Sequence, residues 1–216
     1  MRLCLFQASQ KIPMRIVRGM SFIEMIVAIL IMLLGMSGFT YLFVDSWRSN
    51  KFIIEMGNAS LLASRSVNNL VADLRKVRQA DNGDYPIESG DDFDIKVYID
   101  IDNDGVTERV HYYLQSGSLY RGVREPVGNL PVNYPNGDGT TTLLANSIIN
   151  SNTQPVFSYY NDEYPSDTTN NPLATPVNVA EVKMVKVHLM VNIDPLNVPE
   201  HINVESFAEL RNLNGY

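Results

Sequence analysis

The stretch "IVRGMSFIEMIVAILIMLLGMSGFTYLFVDSWRS", residues 16–49, decides how the rest of the chain is read. Within it, the 20 residues from Met25 to Val44 carry no charge. A helix of that length spans roughly 30 Å, the hydrocarbon thickness of a bilayer. A carboxylate, Glu24, stands at the lip of this run, five residues past Gly19. An ionised side chain at membrane depth is costly and as a rule has a partner and a purpose. Arg18 precedes Glu24 by six residues, which is not a neighbour spacing on a helix.

The apolar run has three readings. A core helix of a soluble domain rarely goes so far without a charge. A secretory signal has an apolar region of about 7–15 residues followed by a small-residue cleavage site. This run is longer and leads into a helical pattern, which favours a membrane span over about residues 25–44. Lys11, Arg15 and Arg18 precede it. By the positive-inside rule the N-terminus is cytoplasmic and the bulk of the chain is exported. Arg48 and Lys51 on the far side weaken that asymmetry without reversing it.

Charge sharpens the division. The first 19 residues hold four basic residues, Arg2, Lys11, Arg15 and Arg18, and no acid. Beyond them 13 basic residues face 24 acidic ones, a net charge of −11. Such a surface lacks the basic footprint of a nucleic-acid binder, so no nucleic-acid partner is expected. It suits solubility or cation binding. The single cysteine, Cys4, lies in the first 19 residues, so disulfides do not staple the remainder.

One positive charge that could meet Glu24 would be a new α-amine, made by cutting the chain after Gly19. "RGMSFIEMIVAILI" resembles the class III signal of type IV pilins and pseudopilins. The matching features are a basic leader ending in Gly19, apolar Met20, Ser21, apolar Phe22 and Ile23, Glu24 in fifth place, and the charge-free span. Phenylalanine is commoner in that family where Met20 stands, and leucine where Phe22 stands. The resemblance implies that a prepilin peptidase removes residues 1–19 and N-methylates Met20. It implies that an inner-membrane assembly platform extracts the subunit into a filament. There Glu24 would meet the N-terminus of a neighbouring subunit, and the partners would be other pilins or pseudopilins bound through their N-terminal helices. The expected location is the inner membrane with a single pass, the head periplasmic, then a cell-surface filament or periplasmic pseudopilus.

After the span, Phe52, Ile53, Met56, Leu61, Val67, Leu70, Val71, Leu74 and Val77 follow three-and-four spacing. The pattern predicts one helix over about 20–78, apolar all round at first and amphipathic later. Gly35, Gly38 and Gly57 lower its propensity locally. Residues 79–92 read as a polar loop. Phe93, Ile95, Val97, Ile99 and Ile101 alternate with Lys96, Tyr98, Asp100 and Asp102, a strand with one face inward. Residues 110–114 and 119–123 return antiparallel, a three-stranded meander. Residues 126–176, with seven prolines, read as an irregular excursion holding a short helix or turn at 143–149 and a short strand at 155–160. Val177–Ile193, a turn "DPLNVP" and a last strand over 202–213 complete a head spanning 79–216. The expectation is an α+β pilin fold, a long N-terminal helix packed on an antiparallel sheet. "DIDNDGVTERVHYYLQSGSLYR" and "VESFAELRNL" resemble the W-type minor pilins of type IV pili and the J-type pseudopilins of type II secretion.

One cluster could bind metal. "DIDNDGVTE" sets Asp100, Asp102 and Asp104 on alternate residues, then Gly105 and Glu108. Alternating oxygen ligands before a glycine turn suit Ca²⁺, although the twelfth loop position, a glutamate in an EF-hand, is here His111. The other reading is a strand ending in an Asp-Gly hairpin turn whose aspartates face water. No catalytic constellation stands out: His111, His188 and His201 lack zinc-ligand spacing, and there is no G-x-S-x-G or phosphate loop. No enzyme activity is expected. Paired tyrosines at 112–113 and 159–160 read as strand packing rather than a binding surface, and Trp47 as an interface anchor. Two functions follow: a minor pilin or pseudopilin that polymerises, or a membrane-tethered, calcium-dependent binding or adhesion module that does not. An exported enzyme is a weaker third.

Overall fold

The computed structural model describes residues 19–129, 131–192 and 201–213. Residues 1–18 of the expected leader and the expected "DPLNVP" turn lie outside these residues. Helix α1 runs Phe22–Leu74, one turn or less from each expected end. The chain divides into two units, one ending at Asn50 and the next beginning at Lys51.

In the first unit every described residue, including every apolar one, is exposed. The helix crosses Gly35 and Gly38 unbroken. Two of its hydroxyls are satisfied internally: Ser37 Oγ donates to the Leu34 carbonyl and Thr40 Oγ1 to that of Met36, each at 2.8 Å. These local bonds let polar residues sit in an apolar span without an orphan donor. Phe39, Phe43 and Trp47 follow at four-residue steps, with ring centroids 6.3 and 6.1 Å apart.

In the second unit α1 becomes one-sided. Met56, Ala59, Ala63, Ser66, Val67, Leu70, Val71 and Leu74 are buried. The stripe differs from the expected one in its N-terminal half. Ile53 and Leu61 are exposed, while Ala59 and Ala63 are inside. Small side chains there let the helix backbone approach the head closely, so the contact surface is set by alanines as much as by large residues.

Eight antiparallel strands follow: β1 Ile87–Gly90, β2 Asp94–Ile99, β3 Glu108–Gln115, β4 Ser118–Arg124, β5 Thr140–Ala145, β6 Phe157–Tyr160, β7 Met184–Val191 and β8 Ile202–Glu209. They form a five-stranded sheet, β1-β2-β3-β4-β5, and a three-stranded sheet, β6-β7-β8. The expected meander is its centre. Two strands extend it where a loop and a helix were expected. β1 holds a single buried large residue, Ile87, so it has no alternation to read. β5, in place of the helix or turn at 143–149, is mostly exposed, and its three β-branched threonines add to the free edge of β4. The final strand expected over 202–213 ends at Glu209, with a 3₁₀ turn at Arg211–Leu213.

The inward residues of both sheets, Ile95, Val97, Ile99, Val110, Tyr112 and Leu119 with Val185, Val187, Leu189 and Ala208, share one apolar cluster with the buried stripe of α1. Polar bonds fix the register. Tyr112 Oη donates to Asp73 Oδ2 at 2.6 Å, Arg121 approaches the same oxygen at 3.7 Å, and Ser66 Oγ donates to the Leu144 carbonyl at 2.7 Å. Burial, then the neighbouring Asp73 carboxylate, holds the Tyr112 phenol well above its ordinary pKa, so it remains a neutral donor. The arrangement is α+β and matches the pilin fold.

Leu70 is completely buried at the centre of this contact. Leu70→Ala is expected to destabilise the head by about 2–5 kcal/mol. Leu61→Ala, on the exposed side of the same helix, should stay within about 0.5 kcal/mol. Denaturant unfolding of the detergent-solubilised chain, followed by tyrosine fluorescence, checks the pair.

Candidate functional site

Two regions carry the residues singled out by sequence: the start of α1, and the hairpin between β2 and β3. Gly19 and Met20 are exposed and precede the helix. Glu24 lies in its first turn, where the peptide N–H groups favour a negative charge. Among the described residues Glu24 has no ion-pair partner. Exposed apolar residues flank it, Phe22 and Ile23 before it and the uncharged run from Met25 after it. α1 is long and apolar enough to cross a membrane, and the most apolar part of it is entirely unburied.

The hairpin is built differently. β2 and β3 pair in uninterrupted register from Asp94↔Tyr113 to Ile99↔Glu108. The connection, residues 100–107, turns through Asn103 at φ 62° and Gly105 at φ +96°. Gly105 supplies the left-handed backbone that other residues adopt only at a cost. The turn folds Asp100, Asp102 and Glu108 together, one carboxylate oxygen from each within 4.8 Å of the others. Asp104, the fourth acid expected there, stands apart, its Oδ1 accepting from the Val106 N–H at 2.7 Å.

Glu108 is completely buried. Its Oε2 accepts from the Ile101 N–H at 2.8 Å; among the described residues its Oε1 has no partner, and neither does the buried Oδ1 of Asp100. Burial pushes the Glu108 carboxyl up to about 6, partly countered by the Ile101 bond and reinforced by nearby acids. Asp100 Oδ2 accepts from the Gly105 N–H at 3.2 Å and lies 3.4 Å from Arg78. Arg78 also donates to the Gly105 carbonyl and to Thr107 Oγ1. Asp81 accepts from the Thr107 N–H and hydroxyl. The acidic turn is therefore tied to the segment that leaves α1.

A further cluster escaped sequence reading. On the face of β3 opposite the core, His111 lies between two carboxylates: Nε2 bonds Asp94, and Nδ1 lies 3.2 Å from Asp138 Oδ2. Asp138 reaches it across Gly122, the residue paired with His111 on β4. A Cβ at Gly122 would stand 2.2 Å from the Asp138 carboxyl carbon. Arg109 donates to the Pro135 and Gly137 carbonyls beside it. The described part of 131–138, expected as irregular excursion, is thus pinned to the sheet by β3. Tyr98, expected to face water, is buried beside Tyr134 of that segment. No sequence signal links residues 27 apart, as His111 and Asp138 are; only the strand register does. Tyr112 and Tyr159 are fully buried, as strand packing requires.

The chain matches no protein-family model and no curated protein.

Burial alone would push the His111 imidazole down, but the bonds and charges of Asp94 and Asp138 outweigh it and raise its pKa above 6.5. The folded state thus favours the proton. The stabilisation is complete below the unfolded value, about 6.5, and is lost as pH rises through the higher folded value. Melting temperatures of the chain and of His111→Gln, measured from pH 5 to 9, should differ most at the acid end and converge at the alkaline end. The same flattening is expected for Asp138→Asn.

Proposed function

We propose that this chain is a minor pilin or pseudopilin, a structural subunit rather than an enzyme. A prepilin peptidase processes it and it joins, or caps, a type IV pilus or type II secretion pseudopilus. One observation carries this reading: a wholly exposed, uncharged stretch of helix, Met25–Val44, begins one residue after a carboxylate that is itself five residues past a glycine. The apolar surface accounts for a membrane location before assembly and for helix packing after it. The carboxylate has no role in a simple anchor. In a filament core of low dielectric, an unpaired Glu24 is penalised and one paired with a neighbour's new N-terminus is tolerated, so it sets register between subunits.

The supporting layout is an α+β head carried on the amphipathic half of the same helix. The head is acidic and lies on the exported side of the span. Other subunits meet it there, and the assembly platform meets the cytoplasmic end.

Intact-mass and N-terminal peptide analysis of the protein from its native membrane tests the processing. The expected mature chain starts at N-methylated Met20, and this product disappears without the peptidase. A chain starting at Met1, or cut near residue 45, overturns the proposal. Glu24→Ala should leave membrane insertion and cleavage intact but lower recovery in sheared filaments or cross-linked assemblies about tenfold or more, the loss of one specific pairing. An unchanged yield would favour the tethered binding module.

A further inference from the structure

The acidic turn between β2 and β3 raises a separate question. Exposed acids commonly cluster without holding an ion. Here the distinguishing feature is buried. Glu108 is fully removed from solvent, yet one of its oxygens has no partner, and the adjacent Asp100 Oδ1 is in the same condition. Buried charges in folded proteins are paired or coordinate metals, and each buried polar atom without a partner asks for one.

Arg78 does not supply it. Its guanidinium approaches Oδ2 of Asp100 at 3.4 Å, and its other bonds go to Gly105 and Thr107. Among the described residues, three carboxylates therefore converge with Arg78 on their margin. Their mutual repulsion disfavours the apo arrangement, and a divalent cation would reverse its sign.

We propose that this turn is a calcium site, with Asp100, Asp102 and Glu108 as its protein carboxylate ligands. The donor set is all oxygen, which suits a hard cation and not zinc. Oxygens that share one Ca²⁺ at about 2.3–2.6 Å stand no more than about 5 Å apart, and the three acids meet that limit with oxygens within 4.8 Å of one another. Of the three acids Glu108 is buried and Asp102 exposed, so the ion would be reached from solvent at Asp102. Because Asp100 and Thr107 also hold Arg78 and Asp81, calcium bound there stiffens the junction where α1 passes into the sheet. This inference concerns the head alone and stands whether or not the chain polymerises.

Calorimetric titration of CaCl₂ into the EDTA-stripped, detergent-solubilised full chain tests it, with melting temperature as a second readout. One ion per chain is expected, together with a rise in melting temperature. Glu108→Gln should abolish both responses while melting no lower than the stripped parent, since it removes a buried charge. Asp102→Asn alters an exposed side chain, so folding is not at issue; it should weaken binding about tenfold or more, as expected when one charged ligand is lost. No binding up to about 10 mM calcium, above the range of weak extracellular sites, would overturn the proposal. So would binding unaffected by both substitutions. Displacement by an equal concentration of magnesium would overturn the choice of calcium.

Discussion

The head depends on the fit of one helical stripe into two sheets. From Met56 to Leu74, α1 buries a residue every three or four positions, and β2, β3, β4, β7 and β8 all supply residues to the same cluster. Neither sheet is large. A three-stranded sheet with one apolar face is near the lower limit of independent stability, and both sheets draw on the helix to cover that face. Ala59 and Ala63 bring the helix backbone close. Asp73 then locks the register, held by Tyr112 from β3 and approached by Arg121 from β4. Apolar burial provides the bulk of the stabilisation, while the buried polar bonds select one alignment of helix and sheet.

The same helix faces a different solvent before residue 50. Its apolar residues there are exposed among the described residues, and the Ser37 and Thr40 hydroxyls are closed onto their own backbone. A helix that is apolar all round requires an apolar surrounding. The change from round-the-helix to one-sided hydrophobicity occurs without a break in the backbone. One element is therefore apolar all round in its first half and packs on its own sheets in its second.

Much of this was legible because two periods dominate the sequence. Twenty uncharged residues admit few interpretations, and Ile95, Val97 and Ile99 alternate as a half-buried strand must. The meander and the β7–β8 pair followed from that alternation. β1 and β5 were illegible for the converse reason. They are edge strands held by backbone pairing, and their side chains carry little burial pattern. The helical stripe was misplaced at Ile53 and Leu61 because size was taken as the signal, whereas close approach selected alanine. At the acidic hairpin, spacing named the right neighbourhood, but it could not separate Asp104, spent on its own turn, from Glu108, buried with an oxygen unmatched. The His111 clasp depends on pairing across three strands and left no local trace.

Two carboxylates define what this chain lacks by itself. Glu24 stands where the helix becomes fully apolar, and Glu108 stands where the hairpin closes. Glu108 sits in a place that opposes charge, by burial, and a buried acid is either protonated or compensated; Glu24 is exposed at a helix start that leads into an uncharged run. The chain is rich in acids that need no compensation, since most face water. These two differ by position, not by type. On the proposals above, the compensation comes from outside the fold: an amine for Glu24, at a helix start, and a metal ion for Glu108, whose oxygens converge with two more acids. Assembly and ion binding would then be the two ways these acids are matched.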